Sequence, residues 1–520
     1  MPGEGCSWHP YRVTEREVGN ESEQLTDMGQ VNRRAHLLVQ GQRTLGNLPS
    51  AIYELGTIFA DAGHELALVG GPVRDAFLGL PIHDFDLTTS ARPDETESLL
   101  GSWASTTWDI GKEFGTIGAQ LGSLTVEVTT YRSDVYEIGS RKPEVDFGDN
   151  LEGDLTRRDF TVNAMAVRLP GIELVDPCGG LDDLVNSVLR TPVTARQSFD
   201  DDPLRIMRAA RFTAQLGFDV SADVMEAMGE MAERLTIVSA ERIRSEIERM
   251  MLAPSPRRGI ELMVYTGVAS IVLPEVAVLQ HTVDAQHRHK DVYEHTLTVV
   301  DQAIALESQP LGPDGALADP LPAPDLVLRL AALFHDIGKP ATRQFESNGT
   351  VTFRAHDIVG AKLAGKRMRA LRFDKQTEKD VCKLVGLHLR AFGYSEGDWS
   401  DSAVRRFVRD AGPLLSRLLR LIRADITSQN ARKVAALQAA GDKLASRIVE
   451  IADQEELDAI RPDLDGAEIM ELLHLKPGPA VGKARTFMLN LRLDEGPLEH
   501  DDAVQRLLAW WSENHEEITA

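Results

Sequence analysis

The chain has 520 residues and a formal net charge of −24, with 42% hydrophobic and 26% charged residues. This length predicts roughly three or four domains, and the composition is that of a globular protein. No uninterrupted apolar stretch approaches the about 20 residues of a transmembrane helix, so we expect no membrane partner. The acidic balance argues against non-specific nucleic-acid binding over the whole surface, because phosphate contacts require Lys and Arg.

The first 30 residues lack an apolar core followed by a small-residue cleavage site, so the sequence predicts a disordered tail and no signal peptide. The three cysteines, Cys6, Cys178 and Cys382, are too scattered for a disulfide framework or a cysteine-based zinc site. This pattern fits a reducing compartment, and the cytoplasm is the expected location.

Residues 31–190 alternate strand-like runs with helical ones and predict a small α/β domain, in which we expect the chemistry to lie. From about Asp201 onward nearly every segment has helical periodicity. Arginines concentrate between Arg190 and Arg258, where we expect RNA contacts to begin, although solvated helix faces would show the same concentration. The proline-rich segment 307–325 is expected to be an exposed loop within the helical half.

The segment LALVGGPVRDAFLGL predicts a buried strand, a turn at Gly70 and Gly71, and a helix that carries Arg74. Glycines allow backbone N–H groups to approach an anion, and the helix N-terminus adds partial positive charge. Arg74 would add a charge-assisted contact to a triphosphate. Taken alone, this motif is more typical of a tight strand-to-helix turn without a ligand.

In the sequence HDFDL that follows, alternation along a strand places Asp84 and Asp86 on the same face. Two such charges need a counter-ion, and Mg²⁺ fits because two-metal phosphoryl transfer uses carboxylates to hold the ions. Glu127, on a strand predicted in LTVEVTTY, is the candidate third ligand. A lone Asp-x-Asp is typical of a solvated turn, but its place directly after GGPVRD favours a catalytic pair.

GGPVRD followed by DFD resembles the head of the class II CCA-adding enzymes and bacterial poly(A) polymerases, in the polymerase-beta-like nucleotidyltransferase superfamily. RRDFTVNAMA at 157–166 resembles the ribose motif of that family, which implies that Arg158 and Asp159 contact sugar and phosphate and that Asn163 supports the pocket. VDPCGGLDDL at 175–184 resembles the flexible link from head to neck. The implied fold class is α+β, with a small nucleotidyltransferase head followed by a mostly α-helical neck, body, HD domain and tail.

DDPLRIMRAARF at 201–212 resembles the nucleotide-base motif of the family. On a helix, Asp202 and Arg205 at i and i+3 would face the same way. The carboxylate accepts from an exocyclic amine and the guanidinium donates to a ring acceptor, a pattern that cytosine and adenine share and uracil and guanine lack. The pair therefore predicts selection of CTP and ATP without a template, with helix capping by Asp202 as the alternative. Arg208 and Arg211 continue this face and are expected to reach the triphosphate.

The segment Ser133–Gly148 is polar and contains glycine. In the family that it resembles, this place holds a mobile loop that helps to switch from CTP to ATP, and the composition fits that role. An ordinary hairpin loop would have the same composition.

A second motif, LRLAALFHDIGKP, ends an apolar helix with adjacent His and Asp residues and resembles the HD phosphohydrolases. The pattern H…HD…D is completed by four residues: His295, His335, Asp336 and Asp425. Two further candidate ligands are His356 and His388. Imidazole with carboxylate suits a divalent transition metal, which could activate water against a phosphoester such as a 2′,3′-cyclic phosphate or a 2′-nucleotide. A complete ligand set in a domain that only packs against its neighbours is the alternative.

These motifs predict template-independent addition of C, C and A to the 3′ end of tRNA from CTP and ATP, with Mg²⁺ and release of pyrophosphate. The alternatives are poly(A) polymerase, a partial enzyme that adds only CC or only A, and an enzyme that acts mainly as an HD phosphohydrolase. The predicted divisions are a tail at 1–30, the head at 31–190, neck and body at 191–285, the HD domain at 286–440, and a helical tail at 441–520. The helical tail is expected either to contact tRNA or only to bury apolar surface.

Overall fold

The computed structural model describes residues 20–82, 84–135, 144–148, 150–282, 291–312, 317, 319–347, 351–391, 394, 399–427, 430–455 and 461–519. The chain divides into two compact units: Met1–Arg205 with Phe218–Ala227, and Ile206–Gly217 with Met228–Ala520. Strands concentrate in the first unit and helices make up nearly all of the described second unit, which confirms the predicted α+β class. None of the described helices has the length and apolar character that crossing a bilayer requires.

The first unit is built on a mixed sheet with helices around it. Its strands are β1 (Leu66–Val69), β2 (Phe85–Thr89), β3 (Thr106–Gly111), β4 (Thr116–Leu121), β5 (Leu124–Thr130), β6 (Arg132–Val135), β7 (Glu144–Phe147), β8 (Ala166–Leu169), β9 (Glu173–Val175), β10 (Val188–Leu189) and β11 (Asp219–Val220). Its helices are α1 (Asn20–Leu45), α2 (Ser50–Asp61), α3 (Gly71–Leu78), α4 (Pro93–Trp103), α5 (Leu151–Thr156), α6 (Gly180–Asn186) and α7 (Ala195–Asp201). Two helices, α8 (Leu204–Leu216) and α9 (Ala222–Glu230), contain residues of both units.

Seven strands form the main sheet in the order β3-β4-β5-β2-β1-β8-β9. The pair β2 and β5 is parallel, whereas the other neighbours in this sheet are antiparallel. All four residues of β1 are buried, as expected for a continuous apolar run in the interior of a sheet. The apolar residues around β1 include Ala67, Val69, Tyr131 and Leu155. In this sheet β2 lies between β5 and β1 and is hydrogen-bonded to both.

Helix α1 differs from the predicted disordered tail, because it begins at Asn20 and not after residue 30. Tertiary contacts anchor it: the Gln30 side chain donates to Asn186 at 2.9 Å and the Arg33 side chain donates to Ser187 at 2.5 Å. These bonds hold α1 beside the end of α6.

The segment predicted as a mobile loop, Ser133–Gly148, forms an antiparallel pair at its ends. Arg132 faces Phe147 and Val135 faces Glu144, between β6 and β7. Residues 136–143 lie outside the described residues, so the switching role of the loop stays a prediction.

The second unit is helical apart from one short strand pair, β12 (Gln344–Phe345) and β13 (Val351–Thr352). Its helices are α10 (Ala240–Met251), α11 (Pro256–Tyr265), α12 (Val268–Val272), α13 (Pro274–Ala277), α14 (Val292–Glu307), α15 (Leu326–Phe334), α16 (Lys339–Thr342), α17 (His356–Ala370), α18 (Lys375–Leu387), α19 (Asp401–Ala411), α20 (Leu415–Ala424), α21 (Ala431–Glu455), α22 (Gly466–Leu473), α23 (Pro479–Glu495) and α24 (His500–Thr519).

Helix α15 is the centre of the HD region, and α14, α17, α18 and α20 pack against it. Seven of its nine residues are buried, which fits the sequence LVLRLAALF. Its one charged residue, Arg329, is buried and donates from Nε and Nη2 to Glu307 at 2.7 and 2.8 Å. The C-terminal helices α22, α23 and α24 form an apolar cluster of their own, in which Phe487 stacks on Trp510 at 4.6 Å.

Gly180 provides a test of packing in the first unit. A Cβ at Gly180 would lie 2.2 Å from the carbonyl oxygen of Thr161, so we expect Gly180→Ala to lower the free energy of unfolding by about 1–3 kcal/mol. Gly101, on α4, is the matched control, because a Cβ there meets nothing within 4 Å. Gly101→Ala should raise stability by roughly 0.5–1 kcal/mol through helix propensity. Denaturant unfolding of both variants measures the difference, and equal midpoints would contradict the packing.

Candidate active site and a second metal-ligand cluster

The turn between β1 and α3 is shaped by Gly70. This residue has φ +74°, and its N–H donates to the carbonyl of Met165 at 3.1 Å. A Cβ at Gly70 would lie 3.1 Å from Nη1 of Arg158. Both the backbone conformation and the closeness of the guanidinium therefore require glycine.

Two strands bring three acidic side chains to one face of the sheet. Asp84 and Asp86 are exposed whereas Phe85 between them is buried, as the predicted alternation requires. Parallel pairing of β2 with β5 sets Asp86 directly opposite Glu127. His83 lies outside the described residues.

These carboxylates perturb one another. Partial loss of water around Asp86 raises its pKa, Arg158 opposes this shift, and the charge of Asp84 adds to it. Loss of water also raises the pKa of Glu127, and the charges of Asp86 and Asp84 raise it further. Such mutual repulsion is relieved by a divalent cation, and carboxylate oxygens are the ligands that Mg²⁺ prefers.

The fully buried carboxylate of Asp154 holds together the two arginines of the RRD segment. It accepts from Nε and Nη2 of Arg157 at 3.1 and 2.6 Å and from Nη2 of Arg158 at 3.1 Å. It also accepts from the hydroxyl of Thr88 on β2 at 3.4 Å and from the N–H of Arg132 at 3.3 Å. Burial alone would raise the pKa of Asp154, but Arg158 and Arg157 outweigh burial and lower it.

Through Asp154, the position of Arg158 is tied to β2, the strand that carries Asp86. The guanidinium of Arg158 lies beside Gly70, and its charge opposes the rise in the pKa of Asp86. Asp154 is thus a positioning residue for the predicted phosphate-binding arginine.

The other predicted nucleotide contacts form a buried chain of hydrogen bonds. Asn163 donates from Nδ2 to Asp159 at 3.1 Å and accepts from Nη1 of Arg74 at 2.6 Å. Arg74 also donates from Nε to Asp75 at 2.9 Å and is 4% exposed. The structure therefore places Arg74 as a buried link between α3 and the ribose motif, and its contact with a triphosphate stays a prediction.

Asp202 and Arg205 are neighbours, but they do not share a helix face. Asp202 is extended, with φ −142°, and α8 begins only at Leu204. Its Oδ1 accepts from the N–H of Leu204 at 3.1 Å, so the capping contact is present. Arg205 is buried and donates from Nη1 to the hydroxyl of Ser198 at 2.8 Å and from Nη2 to the carbonyl of Arg157 at 2.5 Å.

Farther along α8, Arg211 has a structural partner. Its Nε donates to the buried carboxylate of Glu246 at 2.5 Å, and its guanidinium covers the ring of Phe212 at 3.8 Å. Arg208 lies 5.5 Å from the same ring. The predicted reach of Arg208 and Arg211 to a triphosphate therefore stays a prediction.

In the second unit, six predicted metal ligands converge at the ends of helices. They are His295 in α14, His335 and Asp336 after α15, His356 at the start of α17, His388 after α18, and Asp425 after α20. A Cβ at Gly338 would lie 2.1 Å from the carbonyl oxygen of His356. Only glycine allows the HDIG turn to approach α17 so closely.

The ligand atoms lie close together. Nε2 of His295 is 3.2 Å from Nε2 of His335, 3.3 Å from Oδ2 of Asp336 and 3.0 Å from Oδ1 of Asp425. Asp336 also lies 3.3 Å from Nε2 of His356. Within the described residues, two groups of three have ligand atoms within 4.8 Å of one another, and both groups contain Asp336.

Each histidine is oriented by a hydrogen bond at Nδ1. Three rings bond to carbonyl oxygens at 2.7–2.8 Å, namely those of His335, His356 and His388. Nδ1 of His295 lies 2.7 Å from the hydroxyl of Thr427. Across the described part of the chain, Nε2 of His356 and Nε2 of His388 are buried without a hydrogen-bond partner. Nδ1 bonds of this kind turn Nε2 toward a metal.

The pKa values of two of these histidines are shifted in opposite directions. Burial would lower the pKa of His335, but Asp336 and Asp425 outweigh burial and raise it to about 10. Burial and the charge of His335 lower the pKa of His388 to about 4. His388 is therefore a neutral imidazole at pH 7, and a metal ion would take the place of the proton on His335.

Three family profiles match the chain in order. The Poly A polymerase head domain matches residues 66–190, the probable RNA and SrmB-binding site of polymerase A matches 217–279, and the HD domain matches 292–458. The A-adding tRNA nucleotidyltransferase of Deinococcus radiodurans is 33% identical over 432 residues, which are 82% of this chain and 91% of that protein. The chain belongs to the tRNA nucleotidyltransferase family.

One further relative matches this nucleotidyltransferase over a shorter length, and two solved structures share its fold. The CCA-adding enzyme of Streptococcus gordonii is 42% identical over 236 residues, so the match spans 45% of this chain and 58% of that enzyme. The Bacillus stearothermophilus CCA-adding enzyme in complex with CTP has the same fold, with a TM-score of 0.60 at 23% identity over 90% of this chain and 98% of the other. The Thermotoga maritima enzyme complexed with tRNA has a TM-score of 0.56 at 16% identity, over 90% and 98%.

Sequence patterns alone did not single out Asp154, Thr427 or Lys339, whose Nζ lies 2.8 Å from Oδ2 of Asp336. Asp154 had a detectable signal, because it precedes the two arginines by three and four positions, the spacing of neighbours on a helix. Thr427 had none, since 132 residues separate it from His295.

Asp154→Asn tests the positioning role in this nucleotidyltransferase. Loss of the charge-assisted bonds to Arg157 and Arg158 should lower the free energy of unfolding by about 1–3 kcal/mol and slow nucleotide addition. Asp182→Asn is the control, because this exposed carboxylate pairs with Arg34 at the surface, and its loss should change stability by less than about 1 kcal/mol. Denaturant unfolding and the addition rate measure both effects. Wild-type values for Asp154→Asn would show that Asp154 positions nothing.

Proposed function

We propose that this nucleotidyltransferase completes the 3′ end of tRNA by adding C, C and A from CTP and ATP, with release of pyrophosphate. The observation that carries the proposal is the register of two parallel strands, which sets Asp86 opposite Glu127 and beside Asp84. Relatives named CCA-adding enzymes at 42–43% identity, and a shared fold with an enzyme bound to CTP, support it.

In this proposal Asp84, Asp86 and Glu127 would hold Mg²⁺, which would supply positive charge at the reacting phosphate and favour ionisation of the RNA 3′-hydroxyl. The hydroxyl attacks the α-phosphate in line and pyrophosphate leaves, without a covalent enzyme intermediate. The N-terminus of α3 and the guanidinium of Arg158 face the triphosphate. Asp154 keeps Arg158 in place during the reaction.

Nucleotide choice is proposed to depend on Arg205. Two of its nitrogens are held by Ser198 and by the backbone of Arg157, so its orientation is fixed before a base arrives. A guanidinium held in this way discriminates bases by whether they offer an acceptor, because a buried donor left unpaired is unfavourable. Asp202 would complete the pair by accepting from the exocyclic amine.

A second candidate function is addition of the terminal A alone. A relative that matches 82% of the chain is named an A-adding enzyme, and it is matched over 91% of its length, whereas the Streptococcus gordonii CCA-adding enzyme is matched over 58%. The two functions share the catalytic carboxylates and differ in which tRNA end they extend.

For the HD cluster, the six side chains are proposed to hold a divalent transition metal and to hydrolyse a phosphoester. The set of four imidazoles and two carboxylates suits such an ion, and two buried Nε2 atoms otherwise have no hydrogen-bond partner within the described residues. A bound ion would supply an activated water, and Lys339, whose Nζ lies 2.8 Å from Oδ2 of Asp336, would add positive charge beside the phosphoester.

The decisive assay uses the full chain with Mg²⁺, CTP and ATP, and sequences the ends of two tRNAs, one lacking CCA and one ending in CC. We expect CTP alone to extend the tRNA that lacks CCA by CC. With both CTP and ATP, we expect the same tRNA to be extended to CCA. Extension only of the tRNA that ends in CC would establish A addition, and long A tails would establish a poly(A) polymerase. No addition to either RNA would contradict the proposal.

Asp86→Asn should slow addition by about 10²–10³-fold, since it removes several kcal/mol of metal-mediated stabilisation. Asp94→Asn is the matched control, because it removes one charge from an exposed carboxylate of the same unit that pairs with Lys112 at 2.6 Å. It should leave the rate unchanged. Equal rates for the two variants would contradict the assignment of Asp86.

Metal content tests the HD cluster. After dialysis against Ni²⁺ or Mn²⁺ and removal of free ions, the wild type should retain metal, and His335→Ala and the milder His388→Gln should retain less. His281→Gln is the control, since His281 is an exposed histidine outside the cluster. Nucleotide addition should persist in His388→Gln. Equal metal content in all four proteins would show that the cluster is only structural.

A further inference from the structure

The helical pair α17 and α18 carries a concentration of positive charge that no part of the proposed function uses. From Lys362 to Lys383 there are eight Lys and Arg residues against three Asp and Glu residues, in a chain whose net charge is −24. Such a local reversal of charge on an acidic protein indicates a surface for an anionic partner.

The two helices run antiparallel, and their line of contact is well defined. A Cβ at Gly365 would lie 3.1 Å from Sγ of Cys382 and 3.4 Å from Oε1 of Glu378. Nearer the other end of the pair, a Cβ at Gly386 would lie 3.7 Å from Cβ of Ala361. The contact therefore runs along two rows of residues spaced four apart, as in closely packed helices.

Lysines stand next to both rows. Lys362 and Lys366 each follow a contact residue of α17 by one position, and Lys379 and Lys383 do the same on α18. From one residue to the next, the side-chain direction turns by about 100° around the helix axis. Because the two helices are antiparallel, this turn is clockwise on one helix and anticlockwise on the other when both are viewed from the same end. The four lysines therefore project from the same side of the pair, and Lys375, four positions before Lys379, joins them. We call this set the lysine face: Lys362, Lys366, Lys375, Lys379 and Lys383.

The lysine face is open and its charges are not neutralised. Four of its members are exposed, and Lys383 is half-buried, with its Nζ beside Gly412. Between these lysines and the carboxylates that the structure describes there is no ion pair. The neighbouring Arg369, in contrast, pairs with Glu378. Like charges four residues apart on a helix repel one another, and a polyanion relieves that repulsion.

Two contacts join this helical pair to the region that matches the RNA-binding profile. Arg367 on α17 donates from Nε and Nη2 to the carboxylate of Glu275 at 2.8 and 3.1 Å. Arg244 on α10 donates to the carbonyl oxygen of Arg372, in the turn between α17 and α18. Both Glu275 and Arg244 lie within residues 217–279. The helical pair that carries the lysine face is therefore bonded to this region through Arg367 and through the turn between α17 and α18.

We propose that the lysine face binds the sugar-phosphate backbone of tRNA and extends the RNA-binding surface onto the HD domain. This inference rests on the proposed function, which makes tRNA the anionic partner. Lysines are mobile point charges, which suit phosphates regardless of base sequence, and those four residues apart are spaced by about 6 Å along the helix axis. The attachment to the RNA-binding region favours RNA over an acidic protein.

The test measures binding of the full chain to labelled tRNA lacking CCA, without nucleotides, at several salt concentrations. Lys366→Ala/Lys379→Ala should weaken binding roughly tenfold at low salt and reduce the slope of log Kd against log salt by about 2, one for each lost phosphate contact. Arg432→Ala/Lys433→Ala is the matched control, because it removes the same charge from exposed residues of α21 in the same unit. It should bind like the wild type.

The outcomes separate this inference from the proposed function. If the wild type binds tRNA and both double variants bind equally well with the same salt slope, the lysine face does not contact RNA and the inference is overturned. If the wild type does not bind tRNA at all, the proposed function fails together with the inference. Thermal unfolding of each variant confirms that a change in binding does not come from loss of the fold.

Discussion

The buried carboxylate of Asp154 connects the parts of the nucleotidyltransferase head that have to keep a fixed geometry. It reaches Thr88 on the strand that carries Asp86, the backbone of Arg132, and the guanidiniums of Arg157 and Arg158. A buried charge is stable only when opposite charges and donors surround it. This requirement draws the arginines to β2, and the carbonyl of Arg157 extends the network to Arg205.

The two candidate sites bring their ligand side chains together in different ways. In the head, parallel pairing of β2 with β5 fixes the carboxylates, because strand register determines which side chains stand opposite. In the HD region, α15 presents His335 and Asp336 at its end, and ligands from α14, α17, α18 and α20 meet them there. Helix ends suit this task, since each Nδ1 finds a backbone carbonyl or a hydroxyl nearby.

Charge is distributed unevenly over the chain. Acidic residues dominate the composition, yet the buried arginines are used to pin elements together, as Arg329 does with Glu307 and Arg211 with Glu246. The lysine face differs from these buried arginines, because most of its side chains are exposed to solvent. An acidic protein can therefore bind an acidic polymer, because phosphate contacts depend on local charge more than on the total.

The sequence by itself determined the family, the α+β class and the order of the motifs, because glycine turns, strand alternation and helical periodicity are local properties. It also selected the candidate ligands of both sites by residue type. Tertiary structure decided what no local pattern contains: the register of β2 on β5, the bond of Thr88 to Asp154, and the meeting of His295 with Asp425. These depend on contacts between residues far apart in the chain, where packing and burial outweigh local preference.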